Sequence, residues 1–434
     1  AAAARGQLLV EAQLLVGPGQ RGRDRCAVTA ATDRPRSAVR VLGELFRTEP
    51  RPDPHPLYQE LHARGSSFRS PLGTVYVSGY AACRDALRQP GLHVEDRPLR
   101  RRARSVGDGE LSPFYDSILF LNGDAHRRVR SVVQSLFTPR ALARLEDRLR
   151  SFARDLLREL AARPSGAFDA YEDFAWPVQL NSLAALLGVP RPAVAHVRGL
   201  MPDLVVLGTP RMWSDDAWRR RAAAASDRLV AFLESLAREA DRCAPDGLVR
   251  VLVGEQRAGR LARHDLVATL SAVVVAGVET TVGLLANATA AILRQPAVAA
   301  AVAAGPLDDR AVDELVRIGT PIHLVDRWVR GGAEVAGAAL PDGAHVVLLL
   351  GAANRDPAVF PEPDAIDLGR TGPALGFGGG VHYCLGAPLA RLHVRIAVPE
   401  LFAAFPGLRA DGPPVLGPHL NPHGYWSVPV RFRP

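Results

Sequence analysis

Beyond about residue 40, apolar residues recur at intervals of three and four positions, as in the run from Leu142 to Leu160. That spacing places them on one face of an α-helix. Short β-branched runs such as Thr74–Val77 and His345–Leu348 are bounded by Gly, Pro and Asp, which favours short strands in small sheets. The pattern predicts a mainly α protein with small β-sheets, of the α+β class, with 47% hydrophobic residues available for its core.

The longest periodic segment predicts a central helix. It starts at Asp265, a good N-cap, and continues to Gln295, where Pro296 stops it. About 31 residues at roughly 1.5 Å each give a helix of about 46 Å, long enough to cross a whole domain. Its first half, Leu266–Val275, is almost entirely apolar and is expected to be buried on all sides.

Polar residues interrupt this helix at Ala276–Thr281, where burying them is costly unless something there requires them. Gly277 costs about 1 kcal/mol of helix propensity relative to Ala. Small residues at 276 and 277 leave room against a flat ligand, and a Thr hydroxyl can bond a carbonyl one turn back and open a groove that admits water. The alternative is a threonine that merely back-bonds its own helix.

A glycine-rich turn, Gly376–Gly386, contains Cys384 just before a helix that has Pro388 in its first turn. A thiolate there faces free backbone N–H groups at the positive end of the helix. A structural zinc site is not favoured, because Cys384 has no CxxC partner. One sulfur suits one axial position on a haem; the alternative is a buried structural cysteine in a tight turn.

The turn resembles the cysteine loop of the cytochrome P-450 family of haem-thiolate monooxygenases, Phe-Gly-x-Gly-x-His-x-Cys-x-Gly. Every fixed position matches, namely Phe377, Gly378, Gly380, His382, Cys384 and Gly386. The resemblance implies one cytochrome P-450 domain whose long helix lies over haem b (iron protoporphyrin IX). It also implies that Cys384 is the iron ligand and that Phe377, Gly378, His382 and Gly386 contact the cofactor.

The polar segment of the long helix resembles the family's oxygen-binding motif, Ala-Gly-x-Asp/Glu-Thr. The resemblance implies that Ala276 and Gly277 line the haem face. It implies that Thr280 hydrogen-bonds bound dioxygen and that Glu279 helps to bring protons from solvent, which makes these two the catalytic residues.

Further family positions concern the haem propionates. Arg327, at the end of an extended run from Pro321, matches the propionate-binding arginine, and His126 and Arg130 match the family's His-x-x-x-Arg. Four residues apart, His126 and Arg130 share one helix face, which suits two propionate contacts. The resemblance implies that His382 is a further propionate contact. The alternative for any one of them is an ordinary surface cation.

Glu314 and Arg317 are spaced for an ion pair and match the family's structural Glu-x-x-Arg pair.

Two other segments are candidates for contact with the substrate. Met201–Trp218 is either a flexible roof over an apolar ligand or an interhelical core, and Arg97–Arg104 is either a solvated turn or an attraction for an anionic substrate.

The composition indicates which class of macromolecule the protein binds. The formal net charge is +8, and the 53 basic residues are all Arg, because the sequence contains no Lys. The arginines are spread among 45 acidic residues, and no motif that reads a nucleic-acid groove is present. An acidic protein partner is therefore favoured over nucleic acid. The sequence has no uninterrupted apolar run of about 18 residues, so it does not predict a membrane span. Its four cysteines are scattered, which suits a reducing cytoplasm. We expect residues 1–39 to be a leader or flexible segment and residues 40–434 to form a single domain.

The resemblance to this family implies a monooxygenase that inserts one atom of dioxygen into an apolar or natural-product substrate, by hydroxylation or epoxidation, in secondary metabolism. Electrons are expected from a separate acidic ferredoxin or flavodoxin with its NAD(P)H reductase, docking where Arg127, Arg128, Arg391 and Arg395 gather. Two alternatives stay open: peroxygenation or oxidative coupling on the same haem, and a non-catalytic relative that activates a partner enzyme.

Overall fold

The computed structural model describes residues 37–47, 53–94, 113–208 and 216–433. The arginine-rich run Arg97–Arg104 and most of the expected N-terminal segment lie outside these residues. The α-helices are α1 Ala38–Leu45, α2 Pro54–His62, α3 Tyr80–Ala86, α4 Gly123–Val133, α5 Pro139–Ala161, α6 Trp176–Leu187, α7 Val197–Leu204, α8 Asp216–Arg238, α9 Leu248–Arg257, α10 Arg263–Leu293, α11 Pro296–Ala303, α12 Asp309–Gly319, α13 Leu350–Ala353 and α14 Ala387–Ala404.

The strands are short and belong to small sheets. They are β1 Ser67–Arg69, β2 Val75–Val77, β3 Leu92–His93, β4 Ala167–Asp169, β5 Val325–Val329, β6 Ala333–Val335, β7 Ala338–Leu340, β8 His345–Leu348, β9 Arg409–Ala410, β10 Val415–Leu416, β11 Tyr425–Ser427 and β12 Pro429–Arg431. One sheet has the order β1-β2-β8-β5-β3 and another β4-β12-β9, with β6–β7 and β10–β11 as pairs. The predicted mainly helical class with small sheets is confirmed.

Strand β2 pairs with β8 in parallel, with Val75 opposite Val346, and β5 lies antiparallel on the other side of β8. The extended run predicted from Pro321 becomes a strand only at Val325. Ahead of it, the carbonyl of Pro321 accepts from the backbone N–H of His423 at 2.6 Å. This segment is therefore fixed against the C-terminal loop instead of against the sheet.

Helix α10 has the predicted 31 residues. Its start was mispredicted: Ala262 is the N-cap, and Asp265 lies in the first turn. There the carboxylate lies near the positive end of the helix and pairs with Arg128 of α4 at 2.6 Å. By length and composition, α10 is the one helix of the described ranges that could cross a membrane, but 72% of its apolar window is buried inside the protein. It is a core helix.

Glu314 and Arg317 of α12 form the predicted ion pair, and both side chains are only 1% exposed. Arg317 donates from Nε and Nη2 to the two carboxylate oxygens, at 2.7 and 2.8 Å. It also donates to the backbone carbonyls of Asn354 and Pro363. The pair therefore ties α12 to the long connection that leads to Cys384.

Candidate active site

A cavity of about 490 Å³ lies between α10, α4, β5 and the loop before α14. Its walls also include apolar residues of α6 and of the segment around Phe114. The structure brings every predicted site residue to this cavity: His126, Arg130, Ala276, Gly277, Glu279, Thr280, Arg327, Phe377, Gly378, His382, Cys384 and Gly386.

The loop that carries Cys384 depends on glycine. Gly378 and Gly380 have φ values of +69° and +65°, in the left-handed region that favours glycine. A Cβ atom on Gly380 would lie 2.2 Å from the carbonyl oxygen of Leu87, so no side chain fits there. The loop closes when the backbone N–H of Cys384 donates to the carbonyl of Phe377 at 3.0 Å.

Cys384 lies three residues before Ala387, the first residue of α14, and its side chain lines the cavity and has accessible surface. The backbone N–H groups of Gly386 and Ala387 point to it and lower its pKa. Burial away from bulk water acts more strongly, so the pKa of the free thiol is raised overall. A metal ion would replace the proton, and the two N–H donors would then stabilise the thiolate.

Basic side chains gather at one part of the cavity wall. The rings of His126 and His382 are 4.4 Å apart. Burial, His126 and Arg327 together lower the pKa of His382 to about 3. Arg130 is also part of this group and donates to the carbonyl of Tyr383 at 3.0 Å. Such mutual repulsion is relieved by anions, and two propionates would supply them.

Two polar groups in this cluster fit the binding of two propionates. Arg327 is 6% exposed, and its guanidinium donates to the carbonyl of its neighbour Asp326 at 2.7 Å. Burial lowers its pKa to about 10, because loss of contact with water disfavours the charged form unless an anion compensates it. Nε2 of the buried His126 has no hydrogen-bond partner within the described residues. The residues present therefore fit a dianionic flat cofactor with one axial thiolate.

Helix α10 has free space beside Gly277, one of the two small residues that the sequence predicted to leave room there. A Cβ built on Gly277 meets no atom within 4 Å in the described part of the chain. The hydroxyl of Thr280 donates to the carbonyl of Ala276 at 2.6 Å, and that of Thr281 donates to the carbonyl of Gly277 at 2.8 Å. The predicted back-bonding is present, but the helix is continuous from Arg263 to Leu293, so the predicted local opening is not seen. The free space lies beside Gly277.

Glu279 is a buried carboxyl that lines the cavity and is 7% exposed. The phenol of Tyr171 donates to its Oε1 at 3.3 Å, and Trp426 is a second donor. Burial outweighs both hydrogen bonds and raises its pKa to about 7. A carboxyl with such a pKa can both take up and release a proton near neutrality.

Sequence reasoning missed three residues at this site. Gln179 of α6 donates to the carbonyl of Gly277 at 3.1 Å, and Tyr171 and Trp426 hold Glu279. Each lies about 100 or more positions away along the chain from its partner on α10. No local pattern marks them, because only the fold brings them to the helix.

One wall of the cavity is apolar. It is formed by Phe114, Ile118, Phe120, Leu183, Val205, Ala272, Val273 and Ile322. Met201, expected either in a roof or in a core, is fully buried in α7 and belongs to the hydrophobic core. The part of Met201–Trp218 at residues 209–215 lies outside the described residues.

The four arginines expected to form a docking face each have a carboxylate partner. Arg391 pairs with Asp313 at 2.6 Å, and Arg128 pairs with Asp265. The remaining pairs are Arg127 with Asp124 and Arg395 with Asp309. The local positive charge is therefore smaller than the sequence suggested.

Comparison with known proteins decides the family. A family model described as Cytochrome P-450 matches residues 303–408. The cytochrome P-450 monooxygenase PikC of Streptomyces venezuelae is 32% identical over 405 residues, which cover 91% of this chain and 93% of the relative. The chain belongs to the cytochrome P-450 family.

Other cytochrome P-450 proteins agree. The vitamin D(3) 25-hydroxylase of Pseudonocardia autotrophica is 33% identical over 82% of this chain and 87% of its own. The crystal structure of CalO2 matches with a TM-score of 0.79 at 30% identity, covering 88% of this chain and 96% of CalO2. As a cytochrome P-450, the protein binds haem b and is an oxidoreductase that incorporates oxygen from dioxygen.

Proposed function

We propose that this cytochrome P-450 hydroxylates or epoxidises an apolar natural product, and that Cys384 would supply the thiolate that holds its haem. The observation that carries the proposal is one cavity that contains Cys384, the Glu279–Thr280 pair and an apolar wall. In the overall reaction, dioxygen, two electrons and two protons convert a C–H bond to C–OH and release one water. The reductant is oxidised and dioxygen is reduced.

Each predicted cofactor residue has a part in holding the haem. Cys384 supplies the thiolate, and Phe377, Gly378 and Gly386 shape the loop around it. The basic residues His126, Arg130, Arg327 and His382 bind the propionates, while Ala276 and Gly277 leave room for the ring. When bound through a thiolate, haem b supplies the one-electron and dioxygen chemistry.

Glu279 and Thr280 serve proton delivery. The Thr280 hydroxyl, which donates to Ala276, can accept a hydrogen bond and pass on a proton at its Oγ1. The Glu279 carboxyl is next to it in the chain and has a pKa of about 7, so it can replace that proton. Both side chains lie on the wall of the same cavity.

The apolar wall supports an uncharged, mainly hydrophobic substrate. The charged groups that line the cavity in the described residues are those assigned above to the propionates and to proton delivery, together with Asp326 next to Arg327. The relative named vitamin D(3) 25-hydroxylase carries out a reaction of the proposed type. We place the substrate in secondary metabolism.

Electrons are proposed to come from an acidic ferredoxin or flavodoxin with its NAD(P)H reductase, in the cytoplasm. The net charge of +8 supports an acidic partner. Because the four arginines of the expected docking face are already ion-paired, we expect a weak dependence of turnover on ionic strength. Turnover with an acidic surrogate ferredoxin at several salt concentrations measures that dependence.

The test is Thr280→Ala, with Thr289→Ala as a matched control on the same helix. Thr289 is buried, at 1% exposure, and is not among the residues that line the cavity. A compound that gives a type I shift is turned over with a surrogate ferredoxin and reductase. We expect product per reductant to fall at least about tenfold in Thr280→Ala, with hydrogen peroxide released instead. Unchanged coupling in Thr280→Ala would favour the peroxide-driven alternative.

A further inference from the structure

A second cavity, of about 150 Å³, lies beside α10. It is lined by Tyr171, Glu172, Trp176, Arg198, Pro202, Val205, Glu279 and Trp426. Glu279 and Val205 line the main cavity as well, so the two spaces meet at these side chains. A space of this size with several polar groups can hold ordered water molecules.

The donors that hold the Glu279 carboxyl lie on the second cavity. Tyr171 donates through its phenol at 3.3 Å, and Trp426 also bonds the carboxyl. Both donors line the second cavity, and neither is among the residues that line the main one. The carboxyl is therefore held at the boundary by groups on the far side from Cys384.

The local fold keeps both donors in place. Tyr171 belongs to a π-helical turn, Ala170–Ala175, a rare conformation that is often found at functional sites. Asp169 accepts from the backbone N–H of Tyr171 at 2.8 Å. The same carboxylate accepts from the hydroxyl of Ser427, the residue next to Trp426. One carboxylate thus connects the two segments that hold Glu279.

The outer wall of the second cavity is an ion pair between Glu172 and Arg198. Their side chains are 42% and 47% exposed, respectively, so the pair is in contact with solvent. Such a half-exposed pair is weak and can open. The second cavity therefore extends from a buried carboxyl to a solvent-exposed pair of side chains that can exchange protons with water.

We propose that protons reach Glu279 from solvent through the second cavity, and that Tyr171 is the positioning residue that holds the carboxyl between the two cavities. The proposal rests on the function proposed above. Glu172 and Arg198 are the charged side chains that face the second cavity besides Glu279, among the described residues. Each proton moves from water in the second cavity to a carboxylate oxygen of Glu279 and leaves on the side of the main cavity toward Thr280.

The experiment compares the holoenzyme with Tyr171→Phe, Glu279→Gln and Tyr80→Phe. Tyr80 is the matched control, because its phenol donates to the carbonyl of Pro373, far along the chain from α10. Infrared titration of the buried carboxylic acid gives the first readout, with the Glu279 band assigned by its loss in Glu279→Gln. Removing a donor to the carboxylate should move the titration midpoint upward by about one pH unit in Tyr171→Phe and leave it unchanged in Tyr80→Phe.

The second readout is the ratio of reductant consumption in H₂O and D₂O, with the surrogate ferredoxin and reductase. We expect Tyr171→Phe to raise this solvent isotope effect and to lower product formation about fivefold, with the apparent affinity for a type I ligand unchanged. A purely structural role for Tyr171 would alter neither the midpoint nor the isotope effect.

The outcomes separate the two proposals. If Glu279→Gln and Thr280→Ala leave coupling unchanged, the proposed function is wrong. If Glu279→Gln alters the isotope effect while Tyr171→Phe matches Tyr80→Phe in both readouts, proton entry through the second cavity is wrong and the function stands. The double variant Tyr171→Phe with Trp426→Phe, which removes both donors but keeps both rings, should show a larger midpoint shift than Tyr171→Phe alone.

Discussion

Two buried carboxyls on neighbouring helices have opposite surroundings. Glu314 of α12 is 3% exposed and accepts from the guanidinium groups of Arg317 and Arg370 and from the backbone N–H of Asp367. Glu279 of α10 is 7% exposed, and its donors are the neutral side chains of Tyr171 and Trp426. One carboxyl has its charge compensated, and the other does not.

The difference indicates what each carboxyl can do. A buried carboxyl with two guanidinium partners connects the segments that carry them, so it stabilises one arrangement of the chain. A buried carboxyl with only neutral donors changes its protonation state near neutral pH, which proton transfer requires. Glu314 therefore stabilises the framework around the cysteine loop, and the surroundings of Glu279 support the role in proton delivery proposed above.

The largest expected effect is on the framework side of this comparison. Replacing Arg317 by Met leaves Glu314 buried beside one remaining cation and removes the hydrogen bonds to the carbonyls of Asn354 and Pro363. Breaking a buried pair typically costs about 3–5 kcal/mol. Denaturant unfolding should show a loss of this size, whereas Arg257→Met, at an exposed pair with Asp241, should show no resolvable change. Equal stability of the two variants would remove the distinction between Glu314 and a surface carboxylate.

A second prediction concerns Glu279 and pH. Its pKa is raised from 4.5 to about 7 in the folded protein, so the folded state binds the extra proton between these values. Stability should therefore fall as pH rises from about 4.5 to 7, by about 3 kcal/mol at most. Glu279→Gln removes this dependence, so the variant should melt at a higher temperature than the parent protein at pH 8 and show little difference at pH 4.5.

The measurement is the melting temperature of both proteins across this pH range. Parallel curves for the parent and Glu279→Gln would mean that Glu279 ionises as freely in the folded chain as in the unfolded one. The functional contrast with Glu314 would then lose its basis.

The smallest expected effect concerns Gln179, which contacts α10 two residues before Glu279. Gln179→Leu removes its hydrogen bond to the carbonyl of Gly277. We expect a loss of about 1 kcal/mol in stability and a fewfold fall in product per reductant, with Gln179→Asn recovering part of both. Ser182 lies on the same helix as Gln179 and hydrogen-bonds the buried His393 of α14, so Ser182→Ala is the control for stability without loss of coupling.

Residues with a local chemical signature could be predicted from the sequence. Cys384 lies in a glycine-rich turn, and Glu279 interrupts an apolar helix, so each is conspicuous among its neighbours. The long helix followed from periodicity alone, although its start at Arg263 did not, because Asp265 pairs with the distant Arg128 instead of capping the helix. The four arginines expected to dock a partner also have carboxylate partners in the folded chain, which the sequence did not reveal.

Residues defined by tertiary contact could not be predicted. Tyr171, Gln179 and Trp426 lie in segments without a distinctive sequence pattern, and they contact the site only because these segments pack against α10. The same reason explains why the substrate wall escaped prediction: apolar residues of several elements share a surface only after folding. Periodicity identifies the helices but not which faces meet.

The most direct test of the central claim, that Cys384 binds the haem iron as a thiolate, is the absorption spectrum of the reduced protein under carbon monoxide. The described cysteines allow a matched comparison, since Cys83 and Cys243 are buried away from the cavity. We predict the long-wavelength Soret band of thiolate ligation in the parent protein and in Cys83→Ser and Cys243→Ser, and its loss in Cys384→His. A parent spectrum typical of imidazole ligation, or a thiolate spectrum that persists in Cys384→His, would contradict the account.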